Sequence, residues 1–307
     1  MSKIKRNGTK PQVLSAREAV EYIADQDTVA VSGAGGGIVD PYALINALHE
    51  RYVETGCPKN LTLWHSTGLG DRNDRGMSPL ALEGLVKRVI GGHWGQSPRL
   101  AEMASENKIE AYNFPQGIMA QLARTAAAGQ PGILSHVGLG TFIDPRVSGG
   151  KLNEVSQEDL IRVMNVDGKE WLYYPVVPLD VCLIRATTAD TEGYASMEEE
   201  ITYIDVLQLA QAVHNNGGTV ILQVKRLVKA GTLHPKSVKI PGFLVDAIVV
   251  EEKQEQLYNG SDRFFSGDYI ADDSAVTMLP LDQRKVVARR ALTVSYTHLT
   301  LPTILRV

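Results

Sequence analysis

The chain has 307 residues, 44% hydrophobic and 21% charged, with a formal net charge of -4. These are the proportions of a globular protein and carry no basic footprint for nucleic acid. No apolar stretch approaches the roughly 20 residues that a membrane helix needs, and the two cysteines, Cys57 and Cys182, lie far apart and outside any C-x-x-C pair, which argues against a disulfide framework or structural zinc and for a reducing cytoplasm.

Residues 1–14 begin basic, with no apolar segment behind the charges, and read as a short flexible arm rather than a signal peptide. SARE at 15–18 is a capping box that starts the first helix. TVAVS (28–32) is the first long strand. The glycine-rich loop SGAGGGIVDP (32–41) follows, and its Asp40-Pro41 sets a capping side chain before a proline at a helix start. LTLWHS (61–66) and VKRVIGG (86–92) are strands, with Ser78-Pro79 and Ser97-Pro98 as further helix starts. IEAYNF (109–114) is a strand that turns through Pro115, Gln116 and Gly117 into a helix. GQPGILSHVGLGTFIDP (129–145) brings Gly138 and Gly140 beside Thr141.

The stretch from 144 to 175 has mixed polar character and reads as an excursion that could reach over a cleft. SQED at 156–159 is an acidic variant of the capping box. VCLIRA (181–186) is a continuous apolar strand, in which Cys182 reads as a buried, inert thiol. SMEE at 196–199 is another capping box, which puts Glu198, Glu199 and Glu200 in the first turn of a helix as solvated charges. GTVILQV (218–224) and DAIVVEE (246–252) complete the strands. Many of these runs lack polar alternation, as strands covered on both faces do. Alternation of strand with helix predicts an α/β fold with an open, mostly parallel sheet and helices on both faces. Ligands of such sheets bind beyond the carboxyl ends of the strands, where the loop at 33–37 lies.

Four glycines in ten residues exceed what a tight turn requires, although a mere strand-to-helix turn is one reading of the loop. It lacks the lysine and hydroxyl of a phosphate loop, and Ile38 stands where the dinucleotide fingerprint needs its third glycine. The remaining reading is a loop whose amides face a ligand near a helix N-terminus. GLGDRNDRG (68–76) half-matches a calcium loop, but Arg75 and Leu82 occupy ligand positions. The histidines show no ligand spacing for zinc. His65, His93 and His136 each sit near a strand end beside glycine, as structural histidines or as pocket contacts. Gln116 is equally a helix-cap partner or a group that orients a carboxylate or thioester carbonyl.

Together, the loop at 32–41, the P-Q-G turn at Pro115, Gln116 and Gly117, the G-x-G-T segment at 138–141, and ATTADTEGY (186–194) resemble the α (N-terminal) half of family I CoA-transferases, and most nearly their single-chain acetate/propionate (short-chain acyl) members. The likeness runs from about Ser15 to about Leu292. It implies transfer of CoA between an acyl-CoA and a short-chain carboxylate. Gly33, Gly35, Gly36 and Gly37 would hold the oxyanion, and Gln116, Gly117, Gly138 and Gly140 would line the cleft. It also implies that CoA is a substrate, with no metal and no organic cofactor, and that the chain is a homo-oligomer when complete.

The family's nucleophile is a glutamate of the β half, which forms a glutamyl-CoA thioester. LDQRKVVARRAL (281–292) resembles the start of that half. The expected organisation is an arm at 1–14, the α domain at 15–272, the start of a truncated β domain at 273–293, and a non-native tail at 294–307. The partner is then the β half or a separate β subunit, and the chain alone is inactive. The loop departs from the family pattern at Ser32, Ala34, Ile38 and Asp40, and Ala43 replaces an asparagine used by some relatives. The alternative is a ligand-sensing, sugar-phosphate-type domain of the same fold.

Overall fold

The computed structural model describes residues 10–258, 260, 265–270, 272, 274, 278 and 280–295. In chain order the elements are β1 (Gln12–Leu14), α1 (Ala16–Val20), β2 (Thr28–Val31), α2 (Tyr42–Thr55), β3 (Leu61–His65), β4 (Val86–Gly91), α3 (Pro98–Ser105), β5 (Glu110–Asn113), α4 (Gln116–Ala127), β6 (Gly132–Ser135), β7 (Arg162–Val166), β8 (Lys169–Pro175), β9 (Val181–Asp190), β10 (Ala195–Ser196), α5 (Val206–Asn215), β11 (Thr219–Val228), β12 (Val238–Ile240), β13 (Ala247–Val250) and α6 (Gln283–Ser295). The chain divides into two units, Met1–Asp268 and Tyr269–Val307. Within the second, α6 carries exposed Val286 and Val287, and Asp282 accepts from the Lys285 N–H ahead of it at 2.9 Å. Residues 296–307 of the expected tail lie outside the described residues, as do 1–9 of the expected arm.

The first unit is an α/β fold built on a mostly parallel open sheet, in the order β1-β13-β11-β9-β2-β3-β4-β5, with short β10 and β12 antiparallel beside β9. Its strands are apolar on both faces because both are covered. Val29, Leu63, Val89 and Leu183 pack with α1, α2 and α3 side chains such as Val20, Ile45 and Leu100. Their neighbours Ala30, Trp64, Ile90 and Ile184 pack with Met119 and Leu122 of α4 and Leu209 and Val213 of α5. These central strands therefore alternate between two cores rather than between core and water. The excursion supplies β7 and β8, which pair with the preceding β6 in a separate antiparallel sheet, β6-β8-β7.

Several local signals are overruled by tertiary partners. Gln12–Leu14, expected in a flexible arm, is strand β1 and pairs in parallel with Ala247–Val249. The capping box at Ser15 and Glu18 forms as written. The one at 196–199 does not, because Ser196 ends β10 and its hydroxyl donates to Glu198. The one at 156–159 also fails, since Ser156 is buried, accepts from the Ala111 N–H at 2.7 Å and reaches Asn153 Oδ1 at 2.5 Å. Asp40 caps nothing at α2, whose N-cap is Pro41 without a side-chain bond. Ser78 opens only a short 3-10 turn and donates to Asn73 O. Ser97 does precede α3, but its hydroxyl donates to Leu69 O instead of capping. Among the described residues, no helix is long and apolar enough to cross a membrane, and no group of three His, Cys, Asp or Glu is placed to hold a metal.

Ser156 anchors the excursion to β5 through a buried amide. Ser156→Ala leaves that N–H without a partner, so we expect a loss of about 1–3 kcal/mol in urea denaturation with the m-value unchanged. A loss below a few tenths would show that the bond holds nothing in place.

Candidate functional site

Strands β2, β3, β4 and β5 run one way from the middle of the sheet, and the chain then returns to β9 on the other side of β2. The crevice above β2 and β9 is thus the switch point of the sheet. The loop between β2 and α2 rises from it. Its backbone takes conformations that need glycine: Gly33 has φ 141°, Gly36 81° and Gly37 95°. Added Cβ atoms would also collide, at Gly33 with Leu69 (2.7 Å) and at Gly37 with the Tyr258 ring (2.9 Å). Val39 is held at φ 53° although it is β-branched and buried, so the loop end is strained.

Neighbouring strand ends hold the loop. Thr67, just past β3, donates its hydroxyl to Gly33 O. Gly36 N–H donates to Gly70 O at 2.7 Å, so that amide is engaged within the protein. Gly36 O accepts from Tyr258 N–H at 3.0 Å, and Gly35 lies against the Gln96 side chain. The first-turn amide of Ala43 donates to Gln223 Oε1 from β11 at 3.1 Å.

Gln116 and Gly117 are the first residues of α4, beyond the end of β5, and both are exposed. The Gln116 stem lies beside Gly92 at the end of β4, where a Cβ would meet it at 2.9 Å and would also strike Ser66 O at the end of β3. Ser66 in turn precedes Thr67, which holds Gly33. The glycine loop and Gln116 therefore belong to one edge of the sheet. Gly138 and Gly140 belong to the turn after β6. Gly140 N–H donates to Asp144 Oδ2 at 2.9 Å, and Gly138 packs on the Tyr174 hydroxyl and Ile143. Their partners lie in the excursion, and the positive φ of each glycine serves that turn.

The histidines separate by surroundings. His65 is buried with Nδ1 2.6 Å from Thr67 O, so Nδ1 carries a proton and donates. Burial lowers its pKa to about 4, which keeps it neutral. His93 is exposed and its ring borders Gly68 and Gly95 at the crevice. His136 is exposed and meets the Trp171 ring edge-on. Cys182 is buried, and burial pushes its thiol well up.

Sequence patterns missed a polar floor beneath the crevice. Arg185 sits in β9, all of whose residues are buried. Its Nε donates to Glu200 at 3.1 Å and its Nη1 to Asp40 O at 3.2 Å. Glu200, expected to be a solvated charge in a first helical turn, is thus a buried ion-pair partner, and Gln254 Nε2 also donates to it at 3.1 Å. Glu199 pairs with Lys225 and Arg226, and Glu198 accepts from Thr188 and Ser196. The one available signal was Arg185 itself, a charge inside an apolar strand run. Asp40 is buried and accepts from the Tyr258 hydroxyl, and burial raises its pKa to about 6. Asp205, buried and accepting from Ser66, is likewise raised by burial to about 6. A cavity of about 270 Å³ opens over this floor, lined by Asp40, Arg185, Gln223, Lys253, Gln254 and Tyr258.

Comparison with known proteins adds to this geometry. The sequence signature of the Coenzyme A transferase family matches residues 13–251. The acetate CoA-transferase YdiF of Escherichia coli (strain K12) is 59% identical over 288 residues, covering 93% of this chain and 54% of its own length. The crystal structure of acyl-CoA transferase (YdiF) apoenzyme from Escherichia coli O157:H7 superposes with a TM-score of 0.90 at 57% identity, over 95% of this chain and 56% of that one. The acetate CoA-transferase subunit alpha of Escherichia coli (strain K12) is 27% identical over 248 residues, covering 80% of this chain and all of that subunit. The chain spans about half the length of the first of these relatives.

His65 makes a pH test of the site. Its folded pKa of about 4 lies below the ordinary 6.5. The unfolded chain therefore takes up a proton as pH falls through 6.5 while the fold does not, and stability present above that pH is lost on the way down to about 4. Between pH 7 and 5 this loss is about 2 kcal/mol. Asp40 and Asp205, with folded values above the ordinary 3.8, act in the opposite direction and oppose the trend in the wild type. The difference between wild type and His65→Asn, whose amide can still donate to Thr67, isolates the imidazole. We expect that difference in urea stability to shrink by about 2 kcal/mol from pH 7 to 5. Parallel curves would show that His65 titrates alike in both states.

Proposed function

This chain belongs to the coenzyme A transferase family, and we propose that it is the α half of an acyl-CoA:carboxylate CoA-transferase of the acetate/propionate type. The observation that supports the proposal is that the glycine loop and the exposed Gln116 lie beyond the same, carboxyl ends of the parallel strands, linked through Gly92, Ser66 and Thr67. That arrangement supplies donors where negative charge develops on a thioester or anhydride oxygen. The amides around Gly33, Gly35 and Gly37 hold the oxyanion, with the loop kept rigid by the Gly36–Gly70 bond. Gln116 orients the carbonyl, Gly117 gives access at the start of α4, and Gly138 and Gly140 shape the excursion that borders the cleft.

A glutamate carboxylate of the β half attacks the acyl-CoA carbonyl, giving an acyl-glutamyl anhydride and freeing CoA thiolate. The thiolate then attacks the glutamyl carbonyl, giving the glutamyl-CoA thioester and releasing the donor's carboxylate, and a short-chain carboxylate reverses the steps. The likeness of this chain to a separate subunit alpha along that subunit's whole length supports a division of labour in which the nucleophile lies outside residues 1–307. Glu198, Glu199 and Glu200 are poor substitutes, since each is engaged by a hydroxyl or cation of the same unit. CoA serves as substrate, and no metal or organic cofactor takes part. The complete enzyme is a homo-oligomer in the cytoplasm.

Incubation of the chain with an acyl-CoA followed by borohydride, which reduces an enzyme–CoA thioester, tests the assignment by mass spectrometry. We expect no modified glutamate within 1–307 and no turnover. With a β half supplied, label appears on that half. Label on any glutamate of this chain would sink the proposal. In the assembled enzyme, Gln116→Ala lowers kcat by about 10²-fold with little change in folded stability, as loss of one oxyanion donor does. An unchanged kcat would remove Gln116 from the chemistry.

A further inference from the structure

The glycine loop has little of its own to keep it in shape. Inside it, Ala34 N–H donates to Ile38 O at 2.8 Å, and the glycines between them resist displacement weakly. One side is held by Thr67 and Gly70. On the other side, Arg185 of β9 holds the loop's end at Asp40 O, and the glycines themselves are held by Tyr258, which arrives from the far part of the sheet, after β13. Tyr258 touches the loop in three ways. Its main-chain N–H donates to Gly36 O at 3.0 Å. Its ring covers Gly37 so closely that a Cβ there would stand 2.9 Å from it. Its hydroxyl donates to the Asp40 carboxylate at the loop's end.

Tyr258 is itself held from outside. Its carbonyl accepts from Arg75 Nη1 at 2.7 Å, the guanidinium lies 5.3 Å from its ring centroid, and the Tyr42 ring stands 5.6 Å away. Arg75 belongs to the same inter-strand segment as Gly70, whose carbonyl takes the Gly36 N–H. The contacts thus close a circuit from the loop through Tyr258 and Arg75 back to the loop. A phenylalanine would keep the ring and the main-chain bond but lose the tie to Asp40. An alanine would keep only the main-chain bond.

We propose that Tyr258 is a positioning residue that clasps Gly33–Gly37 in the conformation that meets the acyl-CoA, acting through Gly36, Gly37 and Asp40 together. The proposal rests on the assignment of that loop to substrate binding. It makes the segment after β13 part of the site, although that segment supplies no group to the reacting atoms.

Hydrogen-exchange mass spectrometry of the 307-residue chain, on peptides covering 32–42, tests the clasp. We expect Tyr258→Ala to raise exchange in that segment by about tenfold and Tyr258→Phe by no more than about threefold, with peptides of β4 and α3 unchanged in both. In the enzyme assembled with a β half, Tyr258→Ala lowers kcat more than it raises KM for the CoA ester, and Tyr258→Phe restores most of the loss. Wild-type protection of the loop in Tyr258→Ala overturns the proposal. So does a rise in exchange spread evenly through the sheet, or a loosened loop that leaves kcat and KM untouched. If the assembled wild type transfers no CoA, the functional assignment falls, and the exchange data still decide whether Tyr258 holds the loop.

Discussion

A guanidinium in the middle of a fully buried strand constrains everything above it. Arg185 cannot be deprotonated, and its side chain in β9 is almost wholly buried, so most of its charge must be met inside the protein. Glu200 meets it, which draws the chain after β10 back across the sheet. Asp40 O takes another donor, which anchors the end of the glycine loop to β9. Gln254 binds Glu200, Ala186 O and Gln223, and this pulls in the chain that follows β13. The loops that follow β2, β10 and β13 are thereby held to one polar floor.

Such a floor is a costly way to fill a core. Apolar residues of the same volume would often be as stable or more so. It does provide directional bonds among largely buried groups, where each is electrostatically stronger than in bulk water. The strained backbone at Val39 persists because the surroundings determine the loop from both sides. Rigidity of this kind suits a site that must present dipoles without rearrangement when charge develops.

Much of this was legible in the sequence, and the failures share a cause. The central strands were readable because burial on both faces writes uninterrupted apolar runs. The glycine loop was readable because its φ values and close contacts admit little else. The start of α4 at Gln116 followed from the turn before it. The misread positions are polar residues whose partners lie far away in sequence. Ser156 bonds Ala111, Ser97 bonds Leu69, Asp40 bonds Tyr258, and Glu200 bonds Arg185. A local capping pattern cannot compete with a buried partner that local sequence does not reveal. Strand β1 was missed for a related reason, since three residues acquire strand character only from the neighbour they pair with. The turn at Gly138 and Gly140 has the composition of a ligand loop, yet Asp144 already uses the amide such a loop would offer.

The edge pairing of β1 with β13 has a consequence for biosynthesis. Gln12 is synthesised well before its partner Ala247, with most of this unit lying between them in the chain. Strand β2 likewise waits for β9 before its second side is covered. The nascent chain therefore carries apolar strands without their neighbours for most of this unit's synthesis, and the exposed edges are open to association with other chains in that interval. Slow elongation or scarce chaperone would be felt as aggregation long before any effect on the finished fold.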